Sequence, residues 1–139
     1  MDIWKELQDE GIDAALLEEI RHFREAHPVP PEAQPRIPVP QCLYYGKEVW
    51  ESAAAALLCG QHLLLAGPKA TGKNVLAENL AAVFGRPVWD VSMYVNVDAA
   101  ALIGADTLQK GEVVFREGPI CRCARPVSYT HLRAHETLA

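Results

Sequence analysis

No run of apolar residues in this chain approaches the ~20 that a membrane-spanning helix needs. The candidate run, "HLLLAG" at 62–67, is far too short. A basic start followed by an apolar stretch, the mark of a secretory signal, is also missing: the N-terminus reads "MDIWKELQDE", acidic and amphipathic. Positive charge is not in excess. With Lys+Arg 13 against Asp+Glu 18 the net charge is -5, which leaves no electrostatic footprint for nucleic acid and no basic face for a membrane surface. Cysteine is sparse, limited to Cys42, Cys59, Cys121 and Cys123. The "CRC" at 121–123 has a one-residue gap and no second pair near it, so the usual zinc spacings are absent. Free thiols in a reducing compartment account for all four. These absences predict a soluble, cytoplasmic protein with neither nucleic acid nor membrane among its partners.

The 139 residues have room for one small domain, and half of them are apolar. Residues 2–26 read as helix, broken near Gly11. Ile12, Leu16, Leu17, Ile20 and Phe23 form a stripe at helical spacing, with Asp13 placed to cap the second segment. The stripe is a packing face, for its own domain or a neighbouring subunit. Six of the 10 prolines then fall between Pro28 and Pro40. Each proline fixes φ and removes a donor, so 28–41 is expected to be an extended, polyproline-type linker. A helix follows in "YYGKEVWESAAAALLCG", with Val49, Ala53, Ala56 and Leu57 on one face and Gly60 as its stop. "QHLLLAG" reads as an apolar strand buried on both sides, as in a parallel sheet covered by helices. "KNVLAENLAAVFG" is a second helix, whose Leu76, Leu80, Val83 and Phe84 share a face. "PVWDVSM" is another strand, "VDAAALIG" a short helix, and "GEVVFREGP" a short strand or one arm of a hairpin.

Chemistry concentrates in "AGPKATGKN", residues 66–74. It comes close to the phosphate loop G-x-x-x-x-G-K-[ST], with Gly67, Gly72 and Lys73 in register and Asn74 in place of the hydroxyl residue. The loop leaves an apolar stretch and enters a helix at Lys73, as a phosphate cradle must. Gly72 lets the backbone approach an anion without a Cβ in the way. The amides from about Lys69 to Asn74, with Pro68, Ala70 and Thr71 completing the cradle, converge on it, and the helix dipole adds to them. Lys73 supplies a point charge for β- and γ-phosphates. Lys69 either touches phosphate or is solvated. The usual hydroxyl gives Mg²⁺ a neutral oxygen; the asparagine carbonyl is also a neutral hard oxygen, on a longer arm. Asn74 is therefore the candidate metal-side ligand, and the cofactors expected are ATP and Mg²⁺.

The stretch "YYGKEVWESAAAALLCGQHLLLAGPKATGKNVLAENLAAVFGRPV", with "VNVDAAALIGADTLQKGEVVFREGPI" after it, resembles the MoxR-type branch of the AAA+ ATPases, close to the dynein-related group. The likeness runs from about Leu43 to Arg125. Its D-x-x-x-L-I-G…G-E-V-V-F-x-x-G-P-I pattern marks, in that family, a helix interrupted by a β-hairpin insert. The resemblance implies an α/β fold, the three-layer αβα core of an AAA+ P-loop NTPase, here truncated and preceded by an N-terminal helical segment. It implies a homo-hexameric, ATP-driven machine that remodels or matures other proteins, often with von Willebrand A-type partners. It also places Tyr44, Tyr45 and Gly46 where the adenine is held. The expected organisation is a helical segment at 1–27, the linker at 28–41 and the nucleotide-binding domain at 42–125.

The chain departs from the family pattern after "GPI". Family members continue into an apolar strand ending in Asp-Glu, which orients Mg²⁺ and activates water; here the sequence runs "CRCARPVSYTHLRAHETLA", without an acidic pair, sensor residue, arginine finger or helical lid. "SYTHLRAHETLA" resembles translated sequencing-adapter DNA, so 126–139 are expected to be a non-native tail. His131 and His135 stand four apart, but "HLRAHE" is not H-E-x-x-H, and a metal role is set aside. The resemblance implies the strand order 5-1-4-3-2, which would put 62–67 and 88–93 roughly 14 Å apart, with an empty slot between them. The reading is thus an ATP-binding Walker A loop in a chain that does not itself turn ATP over. A small P-loop kinase would need an arginine-rich lid that the sequence does not show. A non-catalytic nucleotide-binding or adaptor module, working through its N-terminal helix and proline segment, is the alternative.

Overall fold

The computed structural model describes residues 2–93 and 97–124, and the backbone of 129–134. Two short helices come first, α1 (Ile3–Asp9) and α2 (Ala14–Ala26). Each starts where an aspartate satisfies free amides. The Asp2 carboxylate accepts from the Trp4 and Lys5 amides, and the Asp13 carboxylate from those of Ala15 and Leu16. Gly11, at φ 78, turns the chain between them.

The proline-rich stretch is not a plain spacer. A single 3-10 turn forms at Gln34–Arg36, with Ala33 buried beside it and the Arg36 guanidinium 4.8 Å from the Trp89 ring centroid. Pro35 stands at the second position of this turn, where an N–H would still be unpaired.

Helix α3 (Lys47–Leu58) follows, then α4 (Lys73–Phe84). The buried face of α3 is Trp50, Ala53 and Ala54, one residue round from the expected face, and Val49 is 45% exposed. Trp50 decides the rotation, since its large ring contributes more on burial than Val49. On α4, Leu76, Leu80, Val83 and Phe84 are buried as expected. Its end is a left-handed Gly85, with the Gly85 amide donating to Ala82 O and the Arg86 amide to Ala81 O, a pairing that consumes carbonyls the helix leaves open.

These four helices share one core. Leu7 of α1 and Leu17 and Ile20 of α2 pack with Trp50 of α3 and with Leu76 and Phe84 of α4. The N-terminal stripe therefore buries itself against α4, the helix that follows the 66–74 loop. The start of α2 is also tied to α3, because the Asp13 amide donates to the Glu51 carboxylate at 2.9 Å.

Residues 61–67 form no strand, contrary to the sequence expectation. Leu63 and Leu65 are half-buried against the core and line an open pocket with Val49, Ser52 and Ala53 of α3, while Leu64 is 92% exposed. A strand exists through its ladder. No described segment lies alongside to pair with this one, so its apolar composition alone does not make it a strand.

"PVWDVSM" does form one. Strand β1 (Val88–Met93) pairs in parallel with β4 (Tyr129–Ala134), Val88 opposite Tyr129 and Val91 opposite Leu132. The expected spacing between two core strands has no counterpart here, since one of the two is not a strand. The middle of 126–139, expected to be a foreign tail, supplies the ladder partner instead. Open amides on β1 accept any extended segment, so this pairing carries no information on where the tail sequence comes from. The side chains of His131 and His135 lie outside the described residues, as do Tyr94–Asn96.

The remaining segment is the hairpin. Helix α5 (Ala99–Leu102), capped by the Asp98 carboxylate on the Ala101 amide, leads into β2 (Gly104–Gln109). Its antiparallel partner β3 (Glu112–Glu117) follows a two-residue turn at Lys110 and Gly111. Both turn residues have positive φ, 51 and 86, the geometry whose twist matches the flanking strands. Helix α6 (Pro119–Ala124) closes the unit. Taken together the fold is mixed α/β, with two separate two-stranded sheets among the described residues.

Candidate functional site

The phosphate-loop residues come together as one exposed turn ahead of α4. Gly72 stands at the helix start in the left-handed region, φ 79, and no side chain caps the helix. The first amides of any helix lack intrahelical partners. At α4 they are left facing the loop, without the aspartate caps seen on α1 and α2. Ala70 also takes a positive φ, 58, which is strained for a residue with a Cβ.

Lys73 turns back over this loop. Its Nζ donates to the carbonyl oxygens of Gly67, at 3.0 Å, and Pro68, and reaches Thr71 Oγ1 at 3.4 Å. The Thr71 hydroxyl itself donates to Pro68 O at 2.9 Å. The ammonium is therefore held over the loop by neutral oxygens. Lys69 and Asn74 are exposed.

The segment expected on the adenine side is adjacent. The Tyr44 ring lies over the last glycine of the loop: a Cβ added to Gly72 would meet Tyr44 Cδ2 at 3.0 Å and Cε2 at 3.3 Å. The same ring covers Gly46, where an added Cβ would meet Cε1 at 3.1 Å. Tyr45 projects outward, 68% exposed. So of the three residues, Tyr44 and Gly46 contact or adjoin the loop's edge and Tyr45 turns away.

One residue of this arrangement escaped the sequence reading. Asn79, on α4, is fully buried. Its Oδ1 accepts the Tyr44 amide at 2.8 Å and its Nδ2 donates to the Cys42 carbonyl at 2.9 Å. The signal was available: an amide side chain three residues after Leu76 and one before Leu80 sits on an otherwise apolar face.

The donor set fits a polyphosphate with a divalent cation. A helix N-terminus without a side-chain cap, a left-handed glycine beside it and a lysine confined by carbonyls are groups that an anion can engage. The Asn74 carbonyl is a hard oxygen of the kind Mg²⁺ takes.

The family model described as "AAA domain (dynein-related subfamily)" matches residues 62–136, so its match continues past Arg125, where the likeness drawn from the sequence ended. Among curated proteins, YojN of Bacillus subtilis (strain 168) is 28% identical over 131 residues, covering 91% of this chain and 43% of that protein. Protein NorQ of Paracoccus denitrificans is 38% identical over 84 residues, 60% of this chain and 30% of NorQ. SSP1341 of Staphylococcus saprophyticus is 32% identical over 82 residues, 55% of this chain and 31% of that protein. The chain thus spans less than half the length of each of these relatives. No solved structure matches. The helix cradle of residues 67–84 and the family match over more than half the chain lead to one conclusion: the chain belongs to the dynein-related AAA family of nucleotide-binding P-loop ATPases, in agreement with its MoxR-type sequence pattern.

Proposed function

We propose that this chain binds ATP through its Walker A loop, with Gly67, Pro68, Lys69, Ala70, Thr71, Gly72 and Lys73 around the phosphates. The observation that carries the reading is Lys73, whose ammonium is gathered into the loop by Gly67 and Pro68 carbonyls beside a helix start that no side chain caps. An anion at the loop offers that ammonium an ion pair in place of bonds to neutral carbonyls, adding Coulomb attraction to the hydrogen bond. Asn74 would hold Mg²⁺ from the protein side, and the bound cation would neutralise phosphate charge. Tyr44 and Gly46 lie on the nucleoside side.

The family's reaction is ATP hydrolysis, which works by positioning and charge stabilisation. We infer that in the family's whole proteins it is coupled to remodelling or maturation of partner proteins by a homo-hexamer, with von Willebrand A-type proteins as the partner class. These 139 residues carry no Asp-Glu pair at the end of an apolar strand, so this polypeptide binds nucleotide without steady-state turnover.

Titration with a fluorescent ATP analogue tests the binding claim. Saturable, Mg²⁺-dependent binding that Lys73→Ala removes is the expected result. Binding indifferent to Lys73→Ala would sink the Walker A reading in favour of an adaptor.

A further inference from the structure

Asn79 makes contacts that a core position does not require. An amide with no exposure must find partners for both its ends. Asn79 finds them in the backbone of one short segment, accepting from the Tyr44 amide and donating to the Cys42 carbonyl. The two bonds bracket Leu43, which is itself buried. The segment is thereby fixed to α4 by a pair of bonds, as an adjacent strand would fix it.

The consequence passes through Tyr44. Its backbone is held from α4, and its ring lies across Gly72 and Gly46. Gly72 is the residue at which the loop becomes the helix and immediately precedes Lys73. Asn79 therefore ties one helix to both sides of the site: its N-terminus presents the loop, and its second turn holds the segment on the nucleoside side.

We propose that Asn79 is a positioning residue for nucleoside recognition, setting Tyr44 against the loop so that the 44–46 segment adds affinity for the base and sugar. The proposal rests on the nucleotide-binding reading. It assigns Asn79 no contact with ligand and no part in holding phosphates, which remain the work of Gly72 and Lys73. It thus separates two affinities: Asn79 acts on ligands that carry a nucleoside and not on a bare polyphosphate.

The experiment measures, by calorimetry on the full chain, the dissociation constants of Mg-ATP and Mg-tripolyphosphate for the wild type, Asn79→Ala and Tyr44→Ala. Asn79→Ala, which frees the 42–44 backbone from α4, should weaken ATP by roughly tenfold. Tripolyphosphate should change by less than about twofold, since a bare phosphate ligand uses only the loop. Tyr44→Ala, which keeps the backbone bonds of Asn79, should show the same selective loss. It serves as the deciding variant if Asn79→Ala does not fold. Equal losses for both ligands would make Asn79 a structural residue only, and unchanged ATP affinity in a folded Asn79→Ala or in Tyr44→Ala would overturn the proposal. A wild type that binds tripolyphosphate as tightly as ATP would overturn it while leaving the phosphate loop standing; a wild type that binds neither would remove the nucleotide reading and the proposal with it.

Discussion

At the level of single residues, the strain at Ala70 and the chemistry of Asn74 lead to separate expectations. Ala70 holds φ 58 in the loop, a conformation that is unfavourable for any residue with a Cβ. Ala70→Gly should stabilise the chain by about 0.5–1 kcal/mol, the strain relief exceeding the added freedom of the unfolded glycine. Urea denaturation of the two proteins measures it, and a destabilised Ala70→Gly would show that the loop needs the methyl. Asn74 is exposed and belongs to α4. If its carbonyl serves Mg²⁺, Asn74→Thr should keep nucleotide affinity and Asn74→Leu should lose it in Mg²⁺ but not in EDTA. Equal Mg²⁺-dependent binding by all three would take Asn74 out of the metal's contacts. Gly67, Gly72 and Lys73 were readable in the sequence because their spacing is the signal. The inward turn of Lys73 and the clamp by Asn79 were not, because each depends on where oxygens from other positions fall.

At the level of elements, the base of the hairpin is the tightest place described. A Cβ added to Gly118 would lie 2.4 Å from the Leu102 carbonyl oxygen and 2.6 Å from its carbon, both backbone atoms that cannot rotate away. Gly118→Ala should therefore separate β3 from the end of α5 and cost about 1–3 kcal/mol, as overpacking does. Hydrogen exchange across 104–117 would report it as faster opening of the ladder, and an unchanged exchange pattern would show that the junction can relax. The core of α3 carries a second test. Trp50 is fully buried, and its indole Nε1 has no hydrogen-bond partner among the described residues. Trp50→Phe removes an orphan donor along with some packing, so its loss of stability should be small, within about 1.5 kcal/mol. Trp50→Ala, which opens a cavity, should lose about 3–5 kcal/mol. Thermal melts compare them; similar losses in both would mean that the indole ring's shape, rather than burial in general, holds the four helices.

For the whole molecule, α1 and α2 belong to the same core as the phosphate-loop helix. Removing residues 1–27 strips Leu7, Leu17 and Ile20 from Trp50, Leu76 and Phe84. Each large side chain left in water forfeits about 1.5–3 kcal/mol, against a typical total stability of ~5–15 kcal/mol. The shortened chain should aggregate or melt without a cooperative transition. A monomeric, cooperatively melting 28–139 chain would show instead that the N-terminal helices are an appendage.

The sequence by itself determined what depends on local order along the chain. Asp2 and Asp13 start helices, Gly85 ends one, the glycines and Lys73 form the loop, and Lys110-Gly111 turns the hairpin, because each of these acts through the backbone of its immediate neighbours. Only the tertiary structure decided what depends on a partner elsewhere. Residues 61–67 have the composition of a strand and do not become one, since no described segment pairs with them. Helix α3 rolled by one residue to bury Trp50 against α1, α2 and α4. Asn79, one polar residue in an apolar stripe, acquired its role when Cys42 and Tyr44, more than thirty positions away, presented their backbone to it. A hydrogen-bond ladder, a packing face and a clamp each need two surfaces, and the sequence order of one surface does not determine which other surface will meet it.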